Sequence, residues 1–363
     1  MRGVTKKAVF FVFVGCFQSM IPSVHSGSQD AFARLHDFKD RVFSGRPEHI
    51  VIYSKKDDVS DEKIARKGFL YAHPNAVGTI IMCHGYQSSK EDASVLKKFM
   101  PDGFNIVVFD FRAHGENKED QFSTLGYYEK YDVLGAAEFV RSHPALKDKP
   151  LIGYGVSMGS VSLIEAQATN PVFDALILDC PYDSTDTSIE RGFSNLKFTL
   201  WGKEYTIPAY KPISKIMYDE RYRPIMKQVF AWVSKFDPDR VPTKFMPVHP
   251  VESMKQISVP VLFIHCIHDG KVPVQAIERV YKAKEFGYKR LWLTHGRHHA
   301  DSYISQPDEY AWMVAKFLTK YVQGRLHLGR QERVIDVREQ VEKDGQQEVE
   351  TMLQGVHTEQ VAA

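Results

Sequence analysis

The chain has 363 residues, 43% hydrophobic and 25% charged, the make-up of an ordinary soluble globular protein with room for one large α/β domain or two small ones. Lysine and arginine total 47 against 45 aspartates and glutamates, so no basic field argues for nucleic acid as a partner. No internal repeat is visible.

The first segment in chain order is a leader, residues 1–26. "MRGVTKK" is basic, "AVFFVFVGCF" is a short apolar run with no polar face, and "MIPSVHS" places Val24 and Ser26 at the −3 and −1 positions of a cleavage site. This three-part order is the layout of a secretory signal peptide, too short for a membrane span, and it predicts export to the periplasm or exterior. "FVGC" also resembles a bacterial lipobox, with Cys16 as the lipidated residue and Phe13 where leucine is usual; on that reading the N-terminus associates with a membrane. Cys83, Cys180 and Cys266 remain after cleavage. An odd number gives no disulfide framework, and small buried apolar side chains are the simpler role.

After the leader, "HIVIY" and "RKGFLYAHP" read as two strands of a hairpin-like start, and "VGTIIMCHG" as a third strand ending in glycine. "SKEDASVLKKFM" follows as a helix with Ser89 as its N-cap, then the strand "FNIVVFDFR" and a long helix over "TLGYYEKYDVLGAAEFVRSH". "KPLIGYGVS" is a strand that runs into the helix "MGSVSLIEAQATN"; "FDALILDCP" and "VPVLFIHCIHD" are further strands. "PVQAIERVYKAKEFG" is an amphipathic helix, "KRLWLTHG" a final strand and "PDEYAWMVAKFLTKYV" a final helix. Strands alternate with helices from about 77 to 322, and their continuously apolar cores suit parallel strands covered on both faces. About 184–248 breaks the rhythm with no clear strand and with aromatic, helix-like stretches such as "ISKIMYDERYRPIMKQVFAWVSKF"; it reads as a helical cap inserted above the sheet. One domain, cap included, spans 27–325, and the polar tail 326–363 is unreadable for function.

The motif "GYGVSMGS" sets Gly155, Ser157 and Gly159 at the spacing G-x-S-x-G. Chance alone puts that pattern in roughly one chain in ten of this length. Its setting between a strand and a helix is what a nucleophile elbow needs: glycines spare the turn Cβ clashes, and the helix dipole favours negative charge at Ser157. A serine hydroxyl then needs a base, and the base an orienting acid, following in the order serine, acid, histidine on loops at the C-terminal edge of the sheet. Asp269 is the first acidic residue past "VPVLFIH"; Asp179 and Asp183 after the preceding strand are its rivals. "LTHGRHHADSY" offers His295, His298 and His299, which composition cannot separate. The oxyanion needs two amide donors, expected at Met158 and at Tyr86 in "CHGYQSSKED", with His84 bonding the loop backbone.

"HGYQSSKED", "DFRAHGEN", "GYGVSMGS", "ISVPVLFIHCIHDGKVP" and "GRHHADSY" together resemble the α/β-hydrolase superfamily over about 80–322, with most similarity to cap-bearing esterases, monoacylglycerol lipases and serine-aminopeptidase-like hydrolases. The resemblance implies a mostly parallel eight-stranded sheet flanked by helices, with an inserted cap. It also fixes the histidine: Gly296 and "ADSY" set the register of a motif usually written G-x-G-H, so His299 takes the catalytic place and His298 replaces the usual glycine. Ala113 and Asn117 stand where glycine and serine are more usual, and Asp110, Arg112 and His114 are implied to be structural.

The expected function is hydrolysis of carboxylic esters through Ser157, Asp269 and His299, on a small-molecule acyl ester. The alternatives are a serine aminopeptidase-like peptidase or acyl-protein thioesterase, for which Asp219, Glu220 and Asp237 in the cap are candidate contacts, and a non-catalytic binding protein. Cap aromatics (Phe193, Phe198, Trp201, Tyr205, Tyr210, Phe230, Trp232) suit an acyl or aryl pocket or the cap's own packing. No Cys/His metal spacing and no phosphate-binding glycine loop is present, so neither metal nor cofactor is expected.

Overall fold

The structure is a computed structural model that describes residues 46–117, 121–194, 197–200, 203–206, 218–219, 221 and 240–323; for 189–190 and 192–206 it describes the backbone alone. The expected leader, most of the cap and the polar tail lie outside these residues. Among the described residues no helix is long and apolar enough to cross a membrane.

Chain order begins with β1 (Glu48–Lys55) and β2 (Lys63–Tyr71), then β3 (Gly78–Cys83), α1 (Lys90–Val95), β4 (Phe104–Phe109), α2 (Glu129–Ser142), β5 (Leu151–Val156), α3 (Met158–Thr169) and β6 (Ala175–Asp179). Helix α4 (Thr185–Ser194) and the hairpin β7 (Lys197–Leu200) and β8 (Lys203–Thr206) follow. The chain closes with α5 (Pro250–Met254), β9 (Val261–Cys266), α6 (Val274–Ala283), β10 (Lys289–Thr294), α7 (Ser302–Ser305) and α8 (Pro307–Leu318). Eight strands form one sheet in the order β1-β2-β4-β3-β5-β6-β9-β10. β1 and β2 pair antiparallel, β2 meets β4 antiparallel, and every later pair is parallel. The hairpin-like start and the parallel body are therefore those read from the sequence.

The central parallel strands are mostly apolar because both faces are covered. β3, β4, β5, β6 and β9 are buried at every position. Val107, Phe109, Leu151 and Phe263 point to one face, against Val133 of α2, Leu163 of α3 and Ile277 of α6. Their chain neighbours Ile106, Val108, Ile152 and Ile264 point to the other, against Ala93 of α1 and Tyr310 and Val314 of α8. Each such fully buried side chain contributes about 1.5–3 kcal/mol. Parallel pairing aims the C-terminal ends of β3, β5, β6, β9 and β10 the same way, so the loops that leave them share one edge of the sheet.

The loop after β4 is held by buried ion pairs. Lys90 Nζ lies 2.8 Å from Asp110 Oδ2, and its backbone N–H donates to Asp110 Oδ1 at 2.7 Å. Arg112 donates to both oxygens of Asp132, from Nε at 3.0 Å and Nη2 at 2.8 Å, and reaches the carbonyls of Lys55 and Lys56. His114 Nδ1 lies 2.8 Å from the Arg112 carbonyl, in a fully buried setting. Ala113 adopts a φ of 62°, the left-handed region in which an L side chain is strained.

Among its described residues, the interval expected to hold no clear strand contains one hairpin. β7 and β8 pair antiparallel with Phe198 opposite Tyr205. Each strand is only four residues long, so its alternation was lost among the helix-like aromatic stretches around it. "ISKIMYDERYRPIMKQVFAWVSKF" lies almost wholly outside the described residues.

Candidate active site

Ser157 is the residue between β5 and α3, and its backbone carries the strain of the turn: φ is 54° and ψ −114°. The flanking glycines meet the need expected of them, room where a Cβ would clash. Neither has positive φ. They allow close approach: a Cβ on Gly155 would lie 2.5 Å from the Ser160 nitrogen, and one on Gly159 would lie 2.2 Å from the Cys83 carbonyl oxygen. The start of α3 is thereby pressed against the ends of β5 and β3, and Ser157 stands above the sheet edge. A non-glycine residue at this φ/ψ costs on the order of 1–3 kcal/mol and persists only where the surroundings fix it.

Two further loops meet Ser157 there. His299, on the loop after β10, places Nε2 2.7 Å from Ser157 Oγ. Its Nδ1 lies 2.7 Å from Asp269 Oδ2, on the loop after β9. The other carboxylate oxygen of Asp269 accepts backbone N–H bonds from Lys271 at 2.8 Å and Val272 at 2.9 Å. Burial works against the ionised form of Asp269, but His299, His265 and the Val272 amide outweigh it and bring its carboxyl down to about 2. Asp269 is therefore an acceptor at neutral pH. It draws the imidazole proton to Nδ1 and leaves the Nε2 lone pair facing the serine hydroxyl. A hydroxyl, an imidazole and a carboxylate in one row can pass the serine proton to Nε2 as Oγ attacks an electrophile.

Of the expected amide donors, Met158 opens α3 and so has no helical partner four residues back for its N–H. The loop holding Tyr86 runs beside the nucleophile: a Cβ on Gly85 would lie 3.7 Å from Ser157 Cβ. Tyr86 also ties this loop to the segment returning from the cap interval, its hydroxyl lying 2.6 Å from Thr243 Oγ1. His84 faces away from the chemistry. It accepts the Phe111 N–H on Nε2 at 3.1 Å and holds the Gly85 carbonyl with Nδ1 at 2.7 Å. Burial brings its imidazole down to about 4, so it is neutral at physiological pH.

The rival groups are engaged elsewhere. Asp183 is paired with Arg191 of α4 and Arg279 of α6, at 2.8 Å and 2.5 Å. Asp179 is fully buried, and its Oδ2 accepts the Tyr310 hydroxyl at 2.8 Å. Burial pushes its carboxyl up to about 6. His295 and His298 are exposed, and the His295 backbone N–H bonds Gln306. Sequence reasoning missed Cys180 as a neighbour of this site. Among the described residues one group of three has metal-ligand character: a carboxylate oxygen of Asp269, a ring nitrogen of His299 and the sulfur of Cys180, within 4.8 Å of one another. All three described cysteines are free and buried, as small core residues would be.

Comparison with known proteins agrees with this architecture. Residues 80–311 match the model of the family described as "Alpha/beta hydrolase family". The uncharacterized protein YqkD of Bacillus subtilis (strain 168) is 29% identical over 260 residues, which cover 69% of this chain and 74% of that protein. Among solved structures, the Pyrococcus furiosus esterase Pf2001 superposes with a TM-score of 0.58 at 19% identity, over 83% of this chain and 97% of the esterase. An acylaminoacyl peptidase superposes with a TM-score of 0.51 at 17% identity, over 76% of this chain and 41% of the peptidase. At these identities the two structures show a shared fold.

Proposed function

The chain belongs to the alpha/beta hydrolase family, and on that premise we propose that it is a serine hydrolase cleaving carboxylic esters through an acyl-enzyme. The observation that carries this reading is the row Ser157 Oγ, His299 Nε2, His299 Nδ1, Asp269 Oδ2, with both hydrogen bonds at 2.7 Å. Ser157 attacks the acyl carbonyl as His299 takes its proton. The amides of Met158 and Tyr86 bind the oxyanion, and His299 returns the proton to the leaving alcohol. Asp269 holds the imidazole tautomer and offsets the charge that forms on it. Water then repeats the sequence on the acyl-enzyme.

One observation weighs against Asp219 as the group that would read a free N-terminus. A peptidase that reads a free N-terminus needs an acidic group available to the ammonium. Of the three candidates, Asp219 is already held by Arg221 at 2.5 Å, and Glu220 and Asp237 lie outside the described residues. The test is labelling with a fluorophosphonate probe, with Ser157→Ala as control, followed by p-nitrophenyl esters of rising chain length beside aminopeptidase and N-acyl-aminoacyl substrates. Labelling that persists in Ser157→Ala sinks the reading. Turnover confined to the peptide substrates moves it to a peptidase.

A further inference from the structure

Cys180 is the first residue after β6 and is fully buried against the row just described. Its sulfur, an Asp269 oxygen and a His299 nitrogen lie within 4.8 Å of one another. Thiolate, imidazole and carboxylate are the donor types that hold zinc, at about 2.0–2.3 Å from the ion and hence roughly 3–4 Å from each other. Movements of about 1 Å bring the three onto one ion. A second observation concerns charge. Asp179 adds another buried carboxylate to this end of the sheet, and its Oδ1 has no hydrogen-bond partner among the described residues. A cation bound beside it would answer a buried carboxylate oxygen that its neighbours leave unsatisfied.

We propose that Cys180, His299 and Asp269 form an inhibitory site for a thiophilic divalent cation of the zinc class. On binding, the Cys180 S–H bond breaks, a metal–sulfur bond forms and the proton leaves to buffer. The cation takes the place of the proton between His299 Nδ1 and Asp269 Oδ2. The remaining imidazole proton then sits on Nε2, facing Ser157 Oγ, and Nε2 has no lone pair left to accept the serine proton. Hydrolysis stops while the cation is bound. This inhibition rests on the serine-hydrolase reading above, whereas the binding does not.

The test separates the two. The full chain, reduced and freed of metal by a chelator, is titrated with Co²⁺, whose thiolate complexes absorb in the near ultraviolet. A sulfur-to-cobalt band that saturates at one ion per chain, survives in Cys83→Ala and is lost in Cys180→Ala is the expected result. Zn²⁺ bleaches that band and inhibits p-nitrophenyl acetate hydrolysis, and a chelator restores the rate. In Cys180→Ala the inhibitory concentration, taken against that variant's own metal-free rate, rises at least tenfold. Cys180→Ser, checked by circular dichroism, stands in if the alanine variant does not fold. No band in the wild type, or a band intact in a folded Cys180 variant, overturns the proposal. A band without hydrolysis keeps the cation site and refutes the hydrolase reading; hydrolysis without a band does the reverse.

Discussion

The backbone N–H of Ser157 donates to the carbonyl of Asp179 at 2.8 Å, so the strained turn at the end of β5 is pinned to the end of β6. Ser160 reinforces the pin. Its buried hydroxyl lies 2.6 Å from the Gly155 carbonyl and 2.9 Å from that of Asp179, bridging the two strand ends under the elbow. Ser160→Ala leaves those carbonyls one donor short and is expected to cost about 1–2 kcal/mol of stability. The elbow also loses part of what holds it at positive φ, so fluorophosphonate labelling of Ser157 slows by about tenfold, the equivalent of ~1.4 kcal/mol. Denaturant melts and labelling kinetics on the same variant check both. A variant that loses stability at an unchanged labelling rate shows that the bridge supports the fold alone.

Much of this was legible because it is local. A run such as "KPLIGYGVSMGS" announces strand, turn and helix in one window, and the apolar runs of β3, β4 and β9 reflect burial on both faces. Composition alone could not choose among the histidines; the resemblance did, through the register of Gly296 and "ADSY". His298 and His299 have the same chemistry, and what sets them apart is the path of the loop after Gly296. A Cβ on Gly296 would lie 2.6 Å from Cys266 Sγ, thirty residues earlier in the chain, and only tertiary packing shows that. The Tyr310–Asp179 bond spans 131 residues and leaves no trace in either segment. The β7–β8 hairpin was missed for a third reason, since two four-residue strands give too short an alternation to be told from surrounding helix patterns.

The loop proposed to bind the oxyanion carries an acid-sensitive support in His84. Its Nε2 accepts the Phe111 N–H, which a protonated ring cannot do. The unfolded chain takes up this proton near 6.5 and the folded chain not until about 4, mainly through burial, with Asp132 and Glu91 pulling upward and Lys90 downward. Stability therefore falls as pH drops below 6.5 and the loss levels off below 4. Between pH 7.5 and 4.5 this one group accounts for about 2 kcal/mol. His114, with its ring centroid 5.1 Å away, is brought down to about 3 and adds a slope of its own. The measurable quantity is the difference between proteins: His84→Gln keeps an acceptor without a titrating ring and is expected to flatten the slope by about that amount. Equal slopes in the two proteins refute the assignment.

Tyr86 and Thr243 join the loop proposed to bind the oxyanion to the segment returning from the cap interval. That segment is itself fastened to the body, with Ser123 N–H donating to Pro242 at 2.8 Å and Lys244 N–H to Ser123 at 2.9 Å. Tyr86→Phe removes the side-chain tie and keeps the backbone amide. The lost hydrogen bond is about 1 kcal/mol. A roughly fivefold fall in kcat on p-nitrophenyl acetate at little-changed KM is expected, because a looser amide weakens oxyanion binding more than ground-state binding. Thr243→Val should show the same split. A change in KM alone would place the tie in substrate binding instead.

The roles of the acid and the base are separable by substitution. Ser157→Ala and His299→Ala should each lower kcat by roughly 10⁴–10⁶-fold, and the double variant by little more, because the groups act as a unit. Asp269→Ala should cost less, on the order of 10³–10⁴-fold, since an imidazole held only by Ser157 still adopts the useful tautomer part of the time. Asp183→Ala tests the rival. Its carboxylate is spent on Arg191 and Arg279, so its loss should leave hydrolysis of a small ester within about tenfold of wild type, or ~1.4 kcal/mol of barrier. It should lower the melting temperature by several degrees, because a largely buried acid joining α4 to α6 leaves both guanidiniums without it. His298→Ala, on an exposed side chain, should match wild type within about threefold. An inactive His298→Ala beside an active His299→Ala would move the base by one residue. A near-normal Asp269→Ala beside an inactive, folded Asp183→Ala would move the acid from the loop after β9 to the loop after β6.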